Sequence, residues 1–332
     1  MGRRAVSVAF QGDKTAEEYA SLARLAEELG FDAVSVYADL GFQPAIVPLL
    51  AMARATTRVR LGPAALNPSL LHPVEIAGQI AALDAASGGR SYLGLARGAW
   101  LDALGAADDR PLTRLREAIE VIRRLLSGNR QGYEGRVFRL APGFGFNYPL
   151  LRSEIPLLIG TWGPKLAALA GAVAAEVKVG GSANPALVPV LRDHLAHGAT
   201  AAGRPPNSVG IVLGAVTVVD ENGAAARARA RQEVARYLPV VAPLDPTVEV
   251  PEDLLRQMAA LVTTGAETDA AALVPDDLLD RFAFSGTPAQ VARQAQALFD
   301  AGASRVEFGT PHGRSDADGV RLLGERVLPA LR

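Results

Sequence analysis

The sequence predicts an α/β fold of the (β/α)₈ barrel type, and three observations carry that prediction. Strand-like and helix-like patterns alternate along all 332 residues. The strand-like segments are short, nearly continuous apolar runs, as expected when helices cover both faces of a parallel sheet. Eight such units follow one another in the chain, a number that closes most naturally into a cylinder. The competing architecture is a doubly wound open sheet, but its usual mark, G-x-G-x-x-G after the first strand, is missing.

Ala5–Phe10 reads as the first strand. The helix Thr15–Leu29 follows, with Tyr19, Leu22, Leu25, Ala26 and Leu29 on one stripe, Thr15 and Glu18 spaced for a capping box, and Gly30 placed to end it. Strand Ala33–Ala38 pairs with helix Pro44–Thr56, strand Val59–Ala64 with helix Val74–Ala86, and strand Ser91–Ala96 with helix Leu112–Leu126. Gln131–Leu140 reads as a hairpin. Ile155–Gly160 is the fifth strand, with Pro164 suited to the first turn of a helix. Ala175–Gly180 and Pro185–Ala202 form the sixth unit, and Val209–Val219 is the seventh strand. The stretch Leu238–Leu279, rich in Pro, Asp and Thr, breaks the rhythm and reads as an insertion in the seventh unit, either a lid or a surface loop. Helix Pro288–Ala301, strand Arg305–Phe308 and helix Asp316–Leu331 complete the series. Residues 1–332 thus read as a single barrel domain with a hairpin insertion near 130–150 and a helical one near 238–282.

Composition narrows the partners. With 34 basic and 35 acidic residues and a formal net charge of -1, neither nucleic acid nor a membrane surface is favoured. The absence of cysteine excludes disulfides, thiolate nucleophiles, iron–sulfur clusters and cysteine-ligated zinc, and fits a cytoplasmic location. The apolar run behind Arg3 and Arg4 is too short for a signal-peptide core, and no uninterrupted apolar stretch is long enough to span a bilayer. The expected partner is a small molecule.

Barrels of this kind carry their chemistry at the carboxyl ends of the strands. After the second strand stands Asp39, which either accepts a hydrogen bond from a bound group and holds a proton, or caps the turn into the next helix. After the third, Gly62-Pro63-Ala64-Ala65-Leu66-Asn67-Pro68 combines turn formers with small side chains that let a flat ring approach the backbone. Arg97 follows the fourth strand. Its planar fork suits a carboxylate or phosphate, or a structural ion pair, and Asp102 and Glu117 are further candidates nearby. Two loops run from glycines into a helix start, Gly160-Thr161-Trp162-Gly163-Pro164-Lys165 and Gly180-Gly181-Ser182-Ala183-Asn184-Pro185. Free N–H groups at such a place bind phosphate, so the two together point to a phosphorylated ligand.

Strand alternation puts Arg305 and Glu307 on one face. If that face is the interior, Glu307 needs a cation, and Lys178 is the candidate, as a structural pair or a proton relay. His312, in Gly309-Thr310-Pro311-His312-Gly313, is the histidine best placed for proton transfer. His194 and His197 form H-x-x-H on a helix, yet the further ligands a zinc site needs are not in sight, so no metal is expected. No Walker loop, G-x-S-x-G or H-E-x-x-H occurs.

These loops, together with Leu25-Ala26-Glu27-Glu28-Leu29-Gly30-Phe31, His72-Pro73, Leu83-Asp84, Ser87-Gly88-Gly89-Arg90, Leu115-Arg116-Glu117-Ala118-Ile119, Ile155-Pro156 and Phe284-Ser285-Gly286-Thr287-Pro288, resemble the luciferase-like superfamily of flavin and deazaflavin oxidoreductases. The likeness spans nearly the whole chain and looks closest to the coenzyme F-420-dependent methylenetetrahydromethanopterin reductases. The resemblance implies a homodimeric enzyme that moves hydride between a deazaflavin and a small substrate, a one-carbon pterin or folate. It places the cofactor ring near Ala64, Ala65 and Asn67, with a non-proline cis peptide at Ala64–Ala65. The cofactor's phosphate side would lie along Gly160, Thr161, Trp162, Gly163, Gly180, Gly181 and Ser182. Asp39 and His312 would take polar or proton roles, and Arg97 an anionic group. Two positions depart from the reductases: Ala9 stands where they carry a carboxylate, and Leu40 where they usually have His. These departures keep NADH in view, in a flavin-independent methylenetetrahydrofolate reductase; FMN, in a luciferase-type monooxygenase, is a third reading. A non-catalytic barrel is the alternative from another class.

Overall fold

Eight parallel strands close into a barrel in the computed structural model, which describes residues 4–107 and 109–332. In chain order the strands are β1 (Ala5–Phe10), β2 (Ala33–Val36), β3 (Arg60–Pro63), β4 (Leu93–Ala96), the hairpin pair β5 (Tyr133–Glu134) and β6 (Arg139–Leu140), β7 (Leu157–Gly160), β8 (Glu176–Gly180), β9 (Gly210–Val219), β10 (Ala283–Gly286) and β11 (Arg305–His312). The order β3-β2-β1-β11-β9-β8-β7-β4 runs around the wall, and bridges Leu61–Ser91 and Leu66–Leu95 join its two ends. The sheet is therefore a closed (β/α)₈ cylinder rather than an open one.

The helices on the outside are α1 (Ala16–Leu29), α2 (Ile46–Ala55), α3 (Pro73–Ser87), α4 (Pro111–Leu126), α5 (Pro164–Val173) and α6 (Leu187–Ala201). The insertion after β9 contributes α7 (Gly223–Val241), α8 (Glu252–Thr263), α9 (Glu267–Ala272) and α10 (Asp276–Phe282), and the outer ring resumes with α11 (Pro288–Asp300), α12 (Asp316–Leu322) and α13 (Leu328–Leu331). Local chemistry sets their ends. Thr15 and Glu18 form the capping box of α1, and Gly30 closes it at φ +88°. Alternation along each strand divides the core in two. Val6, Val8 and Phe10 of β1 face the helices, in the large apolar cluster that also holds Val34, Leu61 and Leu95. Ser7 and Ser35 face the interior, where both reach Glu307.

Three elements differ from the expected pattern. β10 is not among the strands the sequence predicts, and it forms because β9 outruns β8: β8 pairs as far as Gly214, and β10 takes the free edge from Val216 to Val219. β11 extends through His312 by way of an irregularity after Gly309. The expected last helix is interrupted by a π-helical turn at Leu323–Val327, where Gly324 sits so close to Leu29 that a Cβ would overlap it. A second apolar cluster, with Leu238, Met258 and Phe282, holds the insertion onto Val218 of β9.

Candidate active site

The lower and middle interior of the barrel is filled by a polar column. Arg60 lies 3.6 Å from Glu176, which Arg305 engages at 2.9 Å, and the guanidiniums of Arg60 and Arg305 lie 5.3 and 5.4 Å from the Tyr92 ring centroid. Above them, the Glu307 carboxylate accepts from Ser7 (3.2 Å), Ser35 (2.5 Å), Arg305 (3.4 Å) and Lys178. The pair expected between Lys178 and Glu307 is thus formed, with both side chains buried. Burial pushes the Glu307 carboxyl upward, but Lys178 and Arg305 outweigh it and hold the group below the usual carboxylate range.

Above this column the wall turns small. Ala9, Gly160 and Gly309 alternate with the filled positions below them in the strand register, and Gly180 follows Lys178 on the same face. A Cβ added at Gly180 or Gly163 would meet nothing within 4 Å, and one at Gly160 would touch only Ala96, Ala65 and the Leu95 carbonyl. Beside Gly160 the chain turns over β3, where the Ala64–Ala65 peptide is cis, as the resemblance implied. The result is an apolar cradle at the carboxyl rim bounded by Ala65, Ala96 and Gly160. A flat ring fits there because the side chains that would fill the space are absent.

The other expected residues are placed unevenly. Asp39 is exposed at the rim and accepts a hydrogen bond from the Gln11 amide at 3.0 Å. It does not cap α2, whose N-cap is Ala45. Arg97 is exposed and, among the described residues, makes no hydrogen bond or ion pair. Its neighbour Gly98 packs on Asn67, whose Oδ1 accepts from the Leu70 amide. Trp162 donates its indole N–H to the Gly180 carbonyl at 3.2 Å, and Thr161 Oγ1 accepts from the Gly163 amide. The start of α5 has no side-chain cap; Pro164 lacks an N–H and the Gly163 amide is spent on Thr161, which leaves the Lys165 and Leu166 amides for a ligand.

Three assignments are corrected. In the second glycine loop, the Gly181 and Ser182 amides both donate to the Gly214 carbonyl, Ala183 donates to Arg281, and Asn184 to Ser182. These amides are spent inside the protein, and Asn184 instead ties the loop to Asp245 and Thr247. His312 is fully buried: Nδ1 lies 2.6 Å from Asp316, Nε2 lies 3.2 Å from the Phe308 carbonyl, and the ring packs on Phe10. With both nitrogens engaged by acceptors, it holds the loop rather than serving a substrate. Replacing His312 with Ala is expected to cost about 2–4 kcal/mol in urea unfolding; a loss of activity at unchanged stability would return it to the chemistry. Glu117 is buried and accepts from the amides of Arg136, Val137 and Phe138, anchoring the β5–β6 hairpin.

Elsewhere, His194 is half-buried and His197 exposed on α6, and among the described residues no group of three or more His, Cys, Asp or Glu could hold a metal ion. A cleft of about 730 Å³ opens at the amino ends of the strands, and its arginines, Arg123, Arg124, Arg152 and Arg204, are committed to carbonyls or to Glu120 and Asp84. It lies at the opposite end from the cradle. Among the described residues no helix is long and apolar enough to cross a membrane.

The closed barrel, with its small-residue cradle open at the carboxyl rim, is that of the luciferase-like oxidoreductase class. The luciferase-like monooxygenase family model matches residues 4–305, and the chain belongs to that family. It is 30% identical to the 5,10-methylenetetrahydromethanopterin reductase of Archaeoglobus fulgidus, over 98% of this chain and 99% of that one. It is 29% identical to the F420-dependent glucose-6-phosphate dehydrogenase of Nakamurella multipartita, over 95% and 92% of the two chains. Among solved structures, the coenzyme F420-dependent tetrahydromethanopterin reductase of Methanopyrus kandleri matches with a TM-score of 0.88 at 26% identity, covering 99% of this chain and 100% of that one.

Proposed function

We propose that this chain is a reductase that moves hydride between a deazaflavin of the coenzyme F-420 type and a small one-carbon-carrying pterin or folate. The observation that carries the reading is the hollow upper layer beside the Ala64–Ala65 turn, where Gly160 and Gly180 leave room for a flat ring. The similarity to methylenetetrahydromethanopterin reductases supports it. Bound there, the deazaflavin would supply a ring carbon able to give or take hydride. Ala65, Ala96 and Gly160 would pack against the ring and exclude water. The uncapped start of α5, with Thr161 and Gly163, would face the phosphate side, joined by Arg97, which among the described residues has no ion-pair partner. Asp39 would hold a polar group of the bound pair through the carboxylate oxygens that Gln11 leaves free.

A fluorescence titration with coenzyme F-420, NADH and FMN tests this reading. Saturable binding of F-420 is expected. The proposal fails if F-420 shows none while NADH or FMN saturates; the NADH outcome would make the chain a flavin-independent methylenetetrahydrofolate reductase, a reading that Ala9 and Leu40 keep open. Asp39→Ala is expected to lower kcat/KM by roughly tenfold or more, as for a lost charge-assisted hydrogen bond, with an unchanged melting temperature. Equal loss of both would make Asp39 structural.

The same reading includes a homodimer at work in the cytoplasm. Phe144, Tyr148 and Leu151 are exposed on a segment that runs past Gly78, in the middle of α3, and Gly89, just beyond its end, and Val47 is exposed on α2. Apolar surface of this kind supports burial against a second copy. Sedimentation of the purified protein at twice the monomer mass is expected, and a monomer at all concentrations would refute the dimer.

A further inference from the structure

We propose that Tyr37 is the substrate-side hydrogen-bond donor of this pocket, a phenol laid across Ala9 that binds a ring carbonyl or ring nitrogen of the pterin opposite the cofactor cradle. The inference rests on the proposed function for the identity of the bound pair, but its geometry is independent of it. Two-residue alternation from Ala33 and Ser35 puts Tyr37 on the interior face, one step past the end of β2. Its hydroxyl reaches as far as β11, for a Cβ at Gly309 would collide with it. β1 lies between β2 and β11 in the wall, and Ala9 pairs with Ser35 on one side and Gly309 on the other. The tyrosine therefore spans three strands over a position that Ala9 and Gly309 keep small.

Its placement also sets its partner. In the barrel order, β1 and β11 stand across the interior from β7 and β4, the strands of Gly160 and Ala96. Tyr37 thus faces what lies across the pocket from the cradle, not the cradle's own wall. The hydroxyl is available: among the described residues it takes no hydrogen bond, and the one sealed, unpartnered side-chain polar atom is Ser285 Oγ. The ring is half-buried and rests on Lys178, whose Nζ is 5.3 Å from its centroid and which Glu307 anchors from below. A cation under the ring face is attracted to it and fixes the phenol's position. Burial raises the phenol well above its ordinary value, and the negative charges of Glu307, Asp39 and Asp316, with Tyr237 nearby, add to this. Tyr37 stays neutral across the working pH range, a donor that does not give up its proton.

Tyr37→Phe tests the assignment because it keeps the ring and deletes only the donor. Calorimetric binding is measured separately for coenzyme F-420, tetrahydromethanopterin and methylenetetrahydrofolate, with no second ligand present. The variant should bind the one-carbon pterin or folate about three- to tenfold more weakly, as expected for one neutral hydrogen bond. Its F-420 affinity and melting temperature should equal the wild type's, and the loss should be constant between about pH 6 and 9, where such a phenol does not ionise. The assignment is overturned by unchanged pterin affinity, by a loss confined to F-420, by a pH-dependent loss, or by wild-type protein that binds neither pterin nor folate. If the wild type binds the folate but not F-420, the proposed cofactor falls while the Tyr37 result still decides this inference.

Discussion

Glu307→Ala loses about 3–5 kcal/mol of stability in urea unfolding, the range for removing one partner of a buried ion pair. The size follows from what the substitution leaves behind. Lys178 and Arg305 converge on the Glu307 carboxylate, and Ser7 and Ser35 donate to it. With the carboxylate gone, Glu176 remains for Arg305, but Lys178 has no other anion within bonding distance among the described residues. An unpaired ammonium in the barrel is costly, whereas removing both charges is not. Glu307→Met with Lys178→Met should therefore recover most of the loss. The pH dependence has a fixed sign. Because the folded carboxyl is held below its ordinary value, its contribution is complete above the unfolded value of about 4.3 and disappears as pH falls through the lowered folded value. The wild type and the single variant should differ fully at neutral pH and converge only in acid. A single-variant loss below about 1 kcal/mol, the size of an exposed pair, would mean the column is hydrated.

What the chain discloses about itself depends on how far apart the deciding residues are. The pairing of Lys178 with Glu307 is readable because alternation within each strand fixes the face, and a buried carboxylate demands a cation. Tyr37 is readable by the same rule, carried one residue beyond the strand from Ala33 and Ser35. Glu117 carries a comparable signal, an acid on the buried face of α4. The fate of the Gly181 and Ser182 amides is not readable, since the acceptor that takes them is the Gly214 carbonyl on the neighbouring strand. Nor is that of His312: a glycine-rich rim loop looks open in sequence. Its direction is set by φ of +60° and by Asp316, one helical turn on. Alternation and caps are local and legible. Loop amides and loop side chains are decided by long-range contacts.

Gly180→Leu should weaken F-420 binding by more than about a hundredfold, equivalent to at least 2.7 kcal/mol, while leaving the melting temperature unchanged. Gly180 is exposed at the rim, and its register with Gly214, two residues above Lys178, aims any side chain into the barrel mouth. No φ in the left-handed region opposes a side chain there, and a Cβ meets no atom within 4 Å. The fold therefore tolerates the leucine, and Trp162 keeps its bond to the Gly180 carbonyl, which the substitution does not touch. What a leucine removes is the space itself, and a bound ring has no other place to go if Ala65, Ala96 and Gly160 form its bed. Gly181→Leu is the contrasting control. That residue sits at φ +83° with Val241 3.4 Å from where its Cβ would be. A leucine there strains the backbone and should lower stability before it affects any ligand. F-420 affinity unchanged in a folded Gly180→Leu protein would place the ring elsewhere, and the reading of the upper layer as a cofactor cradle would go with it.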